Sequence, residues 1–276
     1  MPELPEVETV KEALKSKIIA LEVKDVLVHH DKMIKTSDVA DFRDKMIGQK
    51  FVDIKRRGKY LIFELDDYHL LSHLRMEGKF FYGDDEGLRV KHVHAEFLLC
   101  SGMKLSYEDV RKFGTFHLYE KKVSLESTHV FSGLGPEPWD ADFNVDTVMV
   151  LFKGKKMPIK SMLLSQRVVA GLGNIYVDEV LFAASIHPMK RSCDLTREEV
   201  EKVVHYTREI LSRAIQHKGT TIRTFASYHG SAGEFQNFLQ VHTKKDEPCP
   251  RCRAMILKIK VGGRGTYFCG VCQPEE

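Results

Sequence analysis

Two pairs of cysteines carry the plainest chemistry in this chain. Cys249-Pro250-Arg251-Cys252 and Cys269-Gly270-Val271-Cys272 stand sixteen residues apart, and four thiolates so spaced suit tetrahedral zinc. One C-x-x-C alone could serve redox chemistry, but two pairs without a surrounding βαβ pattern argue against that use. The intervening MILKIKVGGRGTYF alternates along its length and breaks at Gly262-Gly263-Arg264-Gly265, which predicts a β-hairpin with Arg264 at its tip. No ligand position is left open, so one structural Zn2+ is expected. An arginine held on such a tip suits a phosphate, although a turn arginine is just as readily an ordinary solvated residue.

The other end of the chain is unusual in a different way. Met1-Pro2-Glu3-Leu4-Pro5-Glu6-Val7-Glu8 combines prolines that favour the first helical turn with carboxylates that favour a helix N-terminus. Taken locally, it is a helix start. Val7, Val10, Leu14 and Ile18 continue it on one face, predicting a helix over 3–19.

The elements that must position these groups fall into two textures. From about 21 to 131 the chain is a series of short strand-like runs, EVKDVLVHH, KFVDIKRR, KYLIFELD, HLLSHLR, KFFYG, HAEFLLC and KLSYED, punctuated by turn residues. Such spacing predicts an antiparallel sandwich or barrel. GLGPEPWDADFN (133–144) reads as a linker. Beyond it, helical spacing runs over about 146–153, 158–170, 174–184 and 196–217, and Thr196 followed by Glu199 is a capping-box start. The expected class is therefore α+β: an N-terminal helix plus antiparallel β-sandwich, then a helical domain with a C-terminal zinc-finger hairpin.

Charge divides along the same line. Residues 1–149 carry 22 Lys+Arg against 27 Asp+Glu, whereas 150–276 carry 20 against 12. A basic C-terminal half can supply a phosphate-facing surface, or simply a solvated one. No stretch approaches the ~20 apolar residues of a membrane span, and the early Glu3, Glu6 and Glu8 are unlike a signal peptide. Cytoplasmic residence is the expectation, with Cys100 and Cys193 as free thiols beside the metal set.

Six ordered motifs carry a resemblance that no single one would support. PELPEVE (2–8), KRRGKYL (55–61), SHLRMEG (72–78), DVRKFG (109–114), AGLGNIYVDE (170–179) and TTIRTF (220–225), with the terminal GGRGTYFCGVCQ, stand in this order along essentially the whole chain. Together they resemble the bifunctional formamidopyrimidine-DNA glycosylases of the formamidopyrimidine glycosylase/endonuclease VIII superfamily. The resemblance implies removal of Met1 and attack by the secondary amine of Pro2 on C1′ of a damaged nucleotide. An α-amino group has a reference pKa near ~8, so a useful fraction is neutral at pH 7. The iminium so formed acidifies C2′ and supports both base loss and strand cleavage.

Carried over position by position, Glu3 is the implied acid/base, Lys59 the lysine of β-elimination and damage recognition, and Arg264 the arginine of δ-elimination. Met76, Arg111 and Phe113 are implied to fill the space left by a flipped base. Asn174, in the turn between two helices, is an implied backbone phosphate contact, and His73, His92 and Lys156 are implied further DNA contacts. Lys153, Lys155 and Lys160 compete with Lys156 for that role. The implied partner is double-stranded DNA holding a damaged base, bound in a cleft by a monomer acting at the nucleoid.

Three departures qualify the match: Ser165 where an aspartate is expected, a poorly matching ASYHGSAGEFQ (226–236), and an unusual QVHTKKDEP (240–248) before the first zinc cysteine. The implied domains are 1–132 (catalytic sandwich), 133–145 (linker), 146–225 (helix–two-turn–helix), 226–239 (lesion-capping loop) and 240–276 (zinc finger). Oxidised purines are the expected substrates; an endonuclease VIII-like enzyme for oxidised pyrimidines and a non-catalytic zinc-ribbon DNA binder are the alternatives.

Overall fold

A computed structural model describes residues 1–84, 90–220 and 233–275. Chain contacts divide it into two units. One comprises Met1–Phe131 and the described residues of Lys218–Gly233; the other comprises Ser132–His217 and the described residues of Glu234–Glu276. Of the expected lesion-capping segment, 226–232 lie outside the described residues, as do 221–225 of the TTIRTF motif.

The first unit begins with α1 (Leu4–Ile18), whose Val7, Val10, Leu14 and Ile18 are buried. Strands β1 (Val23–Val28), β2 (Asp53–Arg57), β3 (Tyr60–Glu64), β4 (Tyr68–His73), β5 (Lys79–Gly83), β6 (Val93–Leu99), β7 (Lys104–Glu108) and β8 (Thr115–Glu120) follow, with the short helix α2 (Val39–Met46) after β1. They form two four-stranded sheets, ordered β1-β6-β7-β5 and β2-β3-β4-β8, with antiparallel pairing throughout. Antiparallel sheets with one buried face account for the alternating runs seen in the sequence.

Two elements here differ from expectation. Strand β8 gives no alternation because Thr115, Phe116, His117 and Leu118 are all buried. Helix α2 buries only Phe42 and Met46, and is capped by Asp38, whose carboxylate accepts the Asp41 N–H. Between the strands the core is aromatic: Phe80 packs 5.1 Å from Tyr107 and stacks on Phe116 at 6.1 Å, with Phe63 edge-on to it at 5.3 Å. Each buried ring removes enough apolar area to contribute roughly 1.5–3 kcal/mol.

The second unit contains α3 (Val145–Phe152), α4 (Ile159–Leu164), α5 (Asn174–Ala184), α6 (Arg197–Gln216) and the hairpin β9 (Leu257–Val261)–β10 (Arg264–Phe268). The Thr196 capping box forms as read, with Oγ1 accepting from Glu199 N and the Glu199 carboxylate accepting from Thr196 N. Helix α4 is shorter than the 158–170 expected. Ser165 ends it by donating Oγ–H to the Met162 carbonyl, and Gln166 then takes a left-handed φ of 63°. The Gln166 side chain holds the ensuing turn, accepting from Gly171 N and donating to Leu172 O. No described helix is long and apolar enough to cross a membrane.

Candidate active site

Pro2 is buried immediately before α1, and Glu3 is the N-cap residue, 1% exposed. Glu6 organises this end. Its Oε2 accepts the Glu3 N–H at 2.8 Å, while Oε1 accepts Thr220 N–H at 2.8 Å and Thr220 Oγ1–H at 3.1 Å. Gly219 must be glycine: at φ +73°, a Cβ would stand 2.6 Å from Glu6 Oε1. The start of α1 is thus clamped on both sides by one carboxylate.

Lys59 occupies the second position of a two-residue loop joining β2 to β3, since Arg57 pairs with Tyr60. Gly58 has φ +56° whereas Lys59 is not left-handed, the pattern of a type II′ turn. Lys59 is 7% exposed. Arg56 ties this loop to α1, donating Nε–H to Glu8 Oε2 at 2.7 Å and Nη1–H to the Gly58 carbonyl at 3.0 Å. Burial pushes the Glu8 carboxyl up, but hydrogen bonds from Lys11 and Arg56 outweigh it and leave the pKa below its ordinary value.

His73 ends β4, where its ring meets Tyr60 edge-on at 4.5 Å. Burial, then the nearby Arg75 and Lys59 charges, pull its pKa down to about 3. Nδ1 accepts the Arg75 N–H at 2.9 Å, so the neutral ring carries its proton on Nε2 and can donate there.

Met76, Arg111 and Phe113 come from two loops that share one support. The Tyr107 hydroxyl projects between Gly78 and Gly114: a Cβ on the former would lie 2.2 Å from it, and on the latter 1.7 Å. The glycines of SHLRMEG and DVRKFG are therefore required by packing. Asp109, 1% exposed, arranges the second loop through backbone alone. Its Oδ1 accepts from Arg111 N at 2.9 Å, and Oδ2 accepts from Phe113 N and Gly114 N at 2.8 Å each. Phe113 stays 51% exposed and Met76 37%, with the Arg111 guanidinium 4.7 Å above the Phe113 ring. His92, half-buried, ends a 3-10 turn and contributes its carbonyl to the Asp109 N–H.

In the second unit the four cysteine sulfurs gather within 4.8 Å of one another. Cys249 and Cys272 Sγ stand 3.8 Å apart, and Cys252 and Cys269 Sγ 3.4 Å. Sulfurs at ~2.3 Å around a tetrahedral Zn2+ would be about 3.8 Å from each other, whereas a disulfide needs ~2.05 Å. The donor set fits zinc. Backbone N–H groups of Arg251 and Cys272 also point at Cys249 and Cys269 sulfurs, stabilising thiolate charge.

Two sequence expectations shift here. Arg264 is not at the hairpin tip: Gly262 and Gly263, at φ +55° and +80°, form the turn, and Arg264 opens β10 opposite Val261. It is nevertheless exposed. Asn174 is the first residue of α5 rather than part of the preceding turn, because Gly173 is the N-cap. Its Nδ2 donates to the Gly265 carbonyl at 2.9 Å, and its buried Oδ1 has no hydrogen-bond partner among the described residues. Among the lysines, Lys153, Lys155 and Lys156 are exposed but Lys160 is fully buried against Asp178.

Sequence reading missed Glu6, Arg56, Asp178 and Glu179, which reach partners far along the chain, and Asp109, whose carboxylate accepts N–H groups two to five residues on. Glu179, for example, accepts N–H groups of Gln240, Val241 and His242. The Glu6 spacing from Glu3 and the Asp109 spacing from Arg111 and Phe113 are the local signals.

Comparison with known proteins places these features in one lineage. The family model described as the formamidopyrimidine-DNA glycosylase N-terminal domain matches residues 1–116, the H2TH domain of the same glycosylases matches 134–226, and a zinc finger found in FPG and IleRS matches 246–274. A Streptococcus pneumoniae protein named formamidopyrimidine-DNA glycosylase is 46% identical over the whole of both chains. A Lactococcus lactis FPG mutant solved with a Fapy-dG containing DNA superposes with a TM-score of 0.92 at 42% identity, covering 99% of this chain and 100% of that one. The wild-type Lactococcus lactis FPG solved with an oxidized pyrimidine containing DNA gives 0.90, also at 42% identity and with the same coverage. With its three matched domains and full-length relatives, the chain belongs to the formamidopyrimidine-DNA glycosylase family.

Proposed function

We propose that this protein is a base-excision repair glycosylase and AP lyase that removes oxidised purines, 8-oxoguanine and formamidopyrimidines, from double-stranded DNA through a Schiff base on Pro2. The observation that carries this reading is the burial of Pro2 and Glu3, directly behind an exposed Met1. Glu6, itself braced by Thr220, holds the Glu3 N–H at the head of α1, so that a secondary amine formed at Pro2 stands next to a buried carboxyl group. Loss of Met1 converts Pro2 into that amine. Attack on C1′ breaks the glycosidic bond with release of the base, and Glu3 supplies the proton transfer, which is worth roughly 10²–10⁴-fold.

Lys59, on its tight loop, takes part in removal of the C2′ proton for β-elimination. Arg264 and Asn174 contact phosphate, and Lys156 joins them as an exposed cation that Lys160 cannot replace. His92 and neutral His73 donate to the backbone, while Met76, Arg111 and Phe113 enter the duplex where the base has left. One zinc ion on the four cysteines holds the hairpin that carries Arg264.

A second reading, activity on oxidised pyrimidines, is favoured by one observation, the relative solved with an oxidized pyrimidine containing DNA. Nicking of duplexes with 8-oxoguanine opposite C, compared with duplexes carrying thymine glycol, separates the two. Faster cleavage of the 8-oxoguanine duplex is expected; preference for thymine glycol would overturn the purine assignment.

A further inference from the structure

The unusual segment QVHTKKDEP contributes one member of a buried ionic cluster. Lys160 on α4 donates Nζ–H to Asp178 Oδ1 on α5 at 2.7 Å, both side chains being fully buried. His242 Nδ1 meets the other oxygen, Asp178 Oδ2, also at 2.7 Å. A carboxylate only accepts, so Nδ1 carries the proton.

The cluster grips strand β10 directly after Arg264. Lys160 Nζ donates to the Gly265 carbonyl at 3.2 Å, the same carbonyl that Asn174 holds, and Tyr267 N–H donates to Asp178 Oδ2 at 3.2 Å. The Tyr267 ring lies 5.0 Å from the His242 ring. On the turn side, Gly262 approaches Ser161 of α4 so closely that a Cβ would lie 2.8 Å from Oγ. Residues 265 and 267 are thus fixed from α4 and α5, while Cys269, two residues on, belongs to the thiol cluster.

Zinc alone would hold the hairpin at its base and leave Arg264 five residues from Cys269, the nearest ligand along the chain. A buried ion pair contributes little net stability, because desolvation offsets its attraction; what it fixes is geometry. We infer that Lys160, Asp178 and His242 form a positioning network that sets the place of Arg264, and through it the efficiency of δ-elimination.

This inference rests on the phosphate role proposed above for Arg264. In δ-elimination the C4′ proton leaves, the C5′–O bond breaks, and its electron pair departs with the 5′ phosphate. A guanidinium on that phosphate stabilises the leaving anion, and a displacement of ~1 Å can cost about 10²-fold.

The test uses the full zinc-loaded chain with Asp178→Asn, scored for zinc content, borohydride-trapped adduct and the ratio of β- to δ-elimination products. Unchanged zinc and adduct are expected, with the β/δ ratio raised at least tenfold. Arg264→Ala should raise the ratio in the same way, and the double variant should add nothing to it. Should Asp178→Asn not fold, His242→Gln, which keeps the Lys160–Asp178 pair, is read identically. A wild-type ratio in a folded network variant, with Arg264→Ala still shifting it, overturns the network's role alone. Absence of any δ-product from the wild-type chain overturns the functional reading of Arg264 and the inference with it.

Discussion

Asp109→Asn is the sharpest single perturbation of the loop that carries Arg111 and Phe113. The carboxylate is 1% exposed and takes three backbone N–H groups on its two oxygens. Asparagine keeps the size but offers one acceptor oxygen. If that oxygen faces Phe113 and Gly114, the new amide confronts the Arg111 N–H, donor against donor. One buried donor left unsatisfied costs about 1–3 kcal/mol, and weakening two charge-assisted bonds to neutral ones adds roughly 0.5–1 kcal/mol each.

The expected loss is therefore about 2–5 kcal/mol, equivalent to a fall in Tm of roughly 5–15 °C for a unit of this size. Calorimetry gives the first number. Amide exchange at Arg111, Phe113 and Gly114 tells whether the loop opens locally before the unit unfolds. A variant melting within about 2 °C of wild type, with those amides still protected, would refute the assignment of Asp109 as the loop's organiser.

Other consequences follow from the same geometry. Gly114→Ala forces a Cβ to within 1.7 Å of the Tyr107 hydroxyl; overpacking of this kind costs about 1–3 kcal/mol, and Tyr107→Phe in the same chain should restore part of the lost Tm. His73 is held neutral down to about pH 3, whereas an unfolded histidine protonates near ~6.5. Its contribution is present above ~6.5 and declines as pH falls toward 3, by up to about 1.4 kcal/mol per pH unit. Denaturant melts at pH 7 and pH 5 should show a smaller pH dependence in His73→Asn, and NMR should show no His73 titration between pH 5 and 8. Zinc analysis should return about one equivalent per chain, and chelation should abolish amide protection across residues 257–268; less than half an equivalent after gentle purification would contradict the four-thiolate site.

What could be read in the sequence was local. The start of α6 was legible because Thr196 and Glu199 lie one turn apart, and the zinc set because ligand spacing is itself the signal. Helix α5 was legible from Asn174 to Ala184 because Gly171 and Gly173 precede it. The chain hid what depends on particular side-chain contacts, near or distant. Helix α4 stops early because Gln166 turns left-handed and braces its own loop, which no propensity announces. Strand β8 is buried on both faces, so its period is invisible. The placement of Arg264 one residue beyond the turn follows from two consecutive positive-φ glycines, a detail that GGRG allows but does not dictate. Arg56 and Asp178 were silent because a carboxylate or guanidinium that binds backbone has no sequence period at all.

The central claim concerns Pro2 as a free N-terminal amine, and borohydride trapping addresses it most directly. Wild-type protein incubated with lesion duplex and borohydride should give a covalent adduct, peptide mapping should place it on Pro2, and mass analysis should find Met1 absent from the trapped chain. Pro2→Gly, or protein that retains Met1, should give no adduct. Normal trapping and turnover by a chain that keeps Met1 would contradict the account.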